Sequence, residues 1–185
     1  MKKIIIVISC VCCLSAMAQT SAPPPFSRSS ITTSPPQINS RKGTLIEKKT
    51  NTIAKFKSLD LQKIITKDLT DNSSETVLGV MYEYEIYDAV SKKTLTIEKQ
   101  ELYKLILSLQ LLEQKENDKN NKDTQYKFVT TSNIEFGGVY NKQENLWNNY
   151  IKFPSGNYNS SSLNEFSREE LKDLIKILKN AEQDL

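Results

Sequence analysis

Two stretches of this chain carry the same ladder of apolar residues, and no other feature narrows the fold as much. SREELKDLIKIL runs from Ser167 to Leu178 and EKQELYKLILSL from Glu98 to Leu109. Laid 69 positions apart, Leu102, Leu105, Ile106 and Leu109 fall on Leu171, Leu174, Ile175 and Leu178. The spacing i, i+3, i+4, i+7 places each set on one side of an α-helix. The approach repeats as well: Ile97 and Phe166 precede the two starts, where a hydrophobic staple would close on Leu102 and Leu171. Ser167 with Glu170 has the form of a capping box, and Glu98 with Glu101 of a weaker one.

Strand-like sequence precedes both helices. Val77 to Val90 and Lys92 to Ile97 alternate in the first half, and TQYKFVTT, SNIEFGGVY and LWNNYIKF do so in the second, with Asn, Gly and Ser between the runs. TLIEKKTNTIAKFKSL, at the start, reads as a hairpin turning near Thr50 and Asn51, followed by a strand around Leu61 to Thr66. Lys104, Gln110, Lys172 and Lys176 lie off the apolar stripes, so each helix must cover an apolar surface. The expected fold class is α+β, an antiparallel sheet with two amphipathic helices packed on one face. The pattern suggests a duplicated strands-then-helix unit, with halves of about 44–115 and 124–185.

The run KKTNTIAKF, then YEYEIYD, the helix from Glu98, and FSREELKDLIKIL near the end together resemble an uncharacterised family of small exported bacterial proteins. The likeness covers about residues 43 to 185. It implies export and duplication, and it brings no activity, cofactor or site residue with it.

The first 18 residues have Lys2 and Lys3, the apolar run IIIVISCVCCLSAM, and Ala16 and Ala18 at the positions a signal peptidase reads. The expectation is a signal peptide on residues 1–18, cut before Gln19, and a periplasmic or extracellular location. At about 14 residues the run is short for a span, which takes roughly 20, so no transmembrane segment is expected after cleavage. Val7-Ile8-Ser9-Cys10 is a poor lipobox, and lipid anchoring is not expected. Cys10, Cys12 and Cys13 all lie in the leader, so the remaining chain would form no disulfide. Residues 19–43, rich in Pro, Ser and Thr, read as a disordered tether, and 44–185 as a single domain.

Loss of Lys2 and Lys3 lowers the formal net charge from +3 to +1, and the remaining lysines are scattered among acids, which gives nucleic acid no basic stripe. With no histidine, and cysteine confined to the leader, the histidine-dependent triads and ordinary zinc sites are excluded. No phosphate-binding glycine loop occurs, and no cofactor is expected. Gly137-Gly138 reads as a bulge or a close backbone approach. Gln114 to Asp123 resembles a calcium loop only superficially, because Lys122 stands where an oxygen is needed.

Two function classes stay open. In the first, the protein is a non-catalytic binding or envelope-associated module for a macromolecule, protein or glycan. Its candidate surface is the aromatic segment carrying Tyr140, Trp147, Tyr150 and Tyr158, although Trp147, Tyr150 and Phe153 also suit a core. The 154–162 loop is the one candidate for a protruding inhibitory segment. In the second class, Glu83 and Glu85, roughly 7 Å apart on one strand face, serve a carboxylate-dependent hydrolase; a solvated face opposite Tyr82, Tyr84 and Ile86 is the plainer reading of that pair.

Overall fold

The computed structural model describes residues 38–86, 89–116, 124–154 and 163–185, and of residues 85 and 86 the backbone only. The leader with its three cysteines, the tether as far as residue 37, and most of the calcium-like and 154–162 loops lie outside the described residues.

The fold is α+β, with two four-stranded antiparallel sheets each followed by a helix, consistent with a duplicated strands-then-helix unit. The first sheet is a meander of β1 (Ile46–Phe56), β2 (Leu59–Asp68), β3 (Ser74–Ile86) and β4 (Ala89–Glu98), and α1 (Lys99–Lys115) follows. The second is a meander of β5 (Gln125–Val129), β6 (Glu135–Asn141), β7 (Leu146–Lys152) and β8 (Leu163–Phe166), and α2 (Arg168–Asp184) follows. The strands thus divide between two sheets rather than joining in one.

The first hairpin does not turn at Thr50-Asn51. β1 continues through both residues, with an irregularity between Thr52 and Ala54, and the chain reverses at Lys57-Ser58. Lys57 adopts φ 51° there, a conformation that turn signatures normally give to Gly or Asn. At the helix starts, Ser167 makes a full capping box with Glu170. Glu98 makes no such side-chain bond. Glu101 instead accepts from the Thr131 amide at 2.6 Å and hydroxyl at 3.0 Å, tying the first turn of α1 to the β5–β6 turn.

Register makes the two halves comparable place by place. Ile97, just before α1, pairs with Leu78, and Phe166, just before α2, pairs with Asn149. Stepping along β3 and β7 from these pairs matches Val80 with Ile151 and Tyr82 with Phe153, all of them buried. The ladder residues of both helices join the same core, where Tyr82 stacks on Phe153 with ring centroids 4.0 Å apart and planes 13° apart. That stack links the corresponding place of one half to that of the other.

Residues 38–43, the described end of the stretch expected as a tether, pack on the fold ahead of Thr44. A 3₁₀ turn at Ile38–Ser40 docks against the face of the first sheet that the helices do not cover. Ile38 is only 6% exposed, its amide donates to Glu75 at 3.0 Å, and Thr66 donates to Asn39. Arg41 Nη1 then donates to Asp68 at 3.1 Å, to Asp71 at 2.7 Å and to the Ser73 hydroxyl at 3.0 Å. Composition concealed this because one buried isoleucine and one arginine suffice for the clasp.

Asp71 is held down to about 2, first by the hydroxyl and amide of Ser73 and then by Arg41. Asp68 is also lowered, chiefly by the Thr70 amide and with help from Arg41. Depressed carboxylates stabilise the fold above their ordinary values, and the contribution is lost as pH falls towards the folded ones. Arg41→Ala should therefore lower the melting temperature more at pH 7 than at pH 2.5. Equal losses at both, measured by thermal circular dichroism, would exclude an electrostatic clasp.

Candidate functional site

β8 pairs with β7 only over Asn149 to Lys152, so the Leu146–Asn148 end of β7 runs on past Phe166. The chain leaves β8 there and enters α2, and α1 ends nearby at Glu116. Between these elements lies a cleft of about 660 Å³, within the ordinary range for ligand pockets. Trp147, Glu116, Arg168, Lys57 and Glu170 are among the residues that line it.

Asn149 is 0% exposed, and its Nδ2 donates to Glu116 Oε1 at 2.8 Å. The Glu116 side chain is 1% exposed, and its Oε2 stands 3.3 Å from Arg168 Nε without a hydrogen bond between them. Asn149 Oδ1 accepts none either. A Cβ on Gly138 would come within 2.8 Å of that oxygen and 3.1 Å of Leu112, so glycine there makes room for the amide. Burial raises the Glu116 carboxyl above its ordinary range, while Asn149 and Arg168 pull it partly back.

Both charges sit at the wrong helix ends. A carboxylate at the C-terminus of α1 and a guanidinium at the N-terminus of α2 each oppose the local helix dipole. The two charges face each other across 3.3 Å. The other half dispenses with this arrangement: Leu78 stands in the place of Asn149, Leu185 follows α2 as Glu116 follows α1, and Lys63 stands in the place of Gly138. Lys63 donates from Nζ to the Asp184 carbonyl and so caps α2. One end of the helix pair is therefore apolar and capped, and the other is polar and open to a cleft.

Of the sequence candidates, Tyr140 and Trp147 are brought together. Trp147 stacks on Tyr126 with centroids 5.7 Å apart and planes 25° apart, and Tyr140 meets it edge-on at 5.7 Å. Tyr140 also donates its hydroxyl to Asn145. Trp147 is half-buried rather than core. Tyr150 points to the opposite face of the sheet, 8% exposed, where it donates to Glu135 at 2.6 Å and accepts from Gln125 at 2.9 Å. Its ring lies over Gly137, where a Cβ would stand 2.7 Å from the phenol oxygen. Gly137 thus serves a close approach, and β5–β6 register is unbroken through both glycines. Tyr158 lies outside the described residues.

Glu83 pairs with Lys92 on the adjacent strand at 3.0 Å and is half-exposed, and the Glu85 side chain lies outside the described residues. Glu116 and Asn149 escaped the sequence reading because one sits in a polar connection and the other in an Asn-rich strand. The available signal was the repeat itself, which sets Glu116 against Leu185.

Among the described residues, no helix is long and apolar enough to cross a membrane, and no group of three or more carboxylate, histidine or cysteine side chains is placed to hold a metal. No protein-family model, curated protein or solved structure matches this chain.

Proposed function

We propose that this chain is an exported, non-catalytic binding module whose site is the cleft beside Trp147. The observation that carries the reading is the buried Glu116–Asn149 pair with Arg168, which the matching place in the other half replaces by leucines. A fold that closes one end with apolar side chains gains no stability from burying a carboxylate at the other. Groups retained against stability are candidates for function. The aromatic wall supports binding, since stacked rings offer contact area at low entropic cost. The ion pair of Glu83 with Lys92 favours binding over the hydrolase alternative at Glu83 and Glu85. Export rests on the leader sequence and on the family resemblance.

Trp147 is the chain's one tryptophan, so its emission reports on the cleft. Native envelope extract passed over the full-length chain should leave a bound component that shifts this emission and is not retained by Trp147→Ala. Equal retention by both forms, or none by either, would remove the reading.

A further inference from the structure

The geometry points to a neutral saccharide as the ligand of this cleft, an inference that rests on the binding-module reading above. A pyranose ring has an apolar face of C–H groups and an edge of hydroxyls, each both donor and acceptor. The cleft offers a counterpart to each. Trp147 stacks on Tyr126 and meets Tyr140 at a steep angle, which holds the ring in place, and the half-buried indole lines the cleft. Glu116 lines the same cleft, and its Oε2 is a buried acceptor with no hydrogen bond, 3.3 Å from Arg168 Nε.

Charge selects within the polar ligands. Glu116 faces Arg168, and Glu170 is paired with Lys57 at 3.0 Å while also accepting from the Ser167 amide. These cations are thus already answered by carboxylates, and Glu165 and Glu169 add further negative charge around the same cleft. An anionic ligand would meet a net acidic site. A neutral ring whose hydroxyls donate to Glu116 meets no such repulsion. A hydroxyl supplies the hydrogen bond that Glu116 Oε2 lacks.

The test uses the full-length chain, Trp147→Ala, and the double variant Glu116→Leu/Asn149→Leu, which gives the polar end the residues of the apolar one. Each is applied to immobilised neutral tetrasaccharides of glucose, mannose, galactose and N-acetylglucosamine, and any hit is titrated in solution by calorimetry and Trp147 emission. Independently, each is panned against a displayed library of random peptides. The expected result is a saccharide that binds the wild type and is weakened at least tenfold by both substitutions, while the double variant keeps the wild-type circular dichroism spectrum and a single melting transition. Peptide binding lost in Trp147→Ala, with no saccharide bound, would overturn the saccharide and keep the binding module. Saccharide binding that neither substitution weakens would place the site elsewhere and overturn the proposal. Failure of both arms would overturn the proposal and the binding reading together.

Discussion

Phe153→Ala should lower the free energy of unfolding by about 3–5 kcal/mol, the range for truncating a buried aromatic ring. The side chain is 1% exposed and lies face to face with Tyr82 at 4.0 Å, so its removal leaves a void bounded by a rigid ring. Tyr82 belongs to β3 and Phe153 follows β7, so the lost contact joins the two halves. Urea denaturation should show a lower midpoint, an unchanged slope and one transition, because a shared core unfolds as a unit. Phe153→Leu should recover much of the loss. A cost below about 1 kcal/mol, or a split transition, would mean that the halves are not packed through this point. Leu105→Ala and Leu174→Ala should each cost about 2–5 kcal/mol for the same reason, since both ladder positions are buried.

The helices were legible in the sequence because periodicity and capping are local. A stripe at i, i+3, i+4, i+7 needs no knowledge of the partner, and Ser167 with Glu170 forms its box within one turn. The strands were legible as runs, but their grouping was not. Alternation marks a strand's two faces and leaves open which strands share a sheet, so eight strands in two meanders read as one sheet. Turn chemistry failed at Lys57, where a lysine holds positive φ and donates to the Glu165 carbonyl at 2.7 Å. A contact with a residue so distant in sequence leaves no local mark. Of the site, Tyr140 and Trp147 were visible as aromatics in a polar segment. The buried polar set was not, because Glu116, Asn149 and Arg168 are ordinary surface residue types whose burial depends on three separate elements meeting.

That set gives the second large effect. Asn149→Leu alone should destabilise by about 1–3 kcal/mol, because the Glu116 carboxylate loses the amide donor at 2.8 Å while staying buried. Glu116→Leu alone strands the Asn149 amide and should also cost stability. Glu116→Leu/Asn149→Leu should be neutral or stabilising by about 1–4 kcal/mol, as replacing a buried ionic group by packed apolar residues often is. The non-additivity in this double-mutant cycle measures the pair directly.

The effect also has a pH signature. Because burial raises the Glu116 carboxyl in the folded state above its ordinary value of 4.5, the folded chain binds more protons than the unfolded chain between those two values. Stability contributed by this group therefore falls as pH rises through that window, and the full cost of the buried charge is present above it. The advantage of the double variant over wild type should grow from pH 4 to pH 7. A cycle with no coupling, or an advantage independent of pH, would mean that Glu116 is solvated and that the polar end costs the fold nothing.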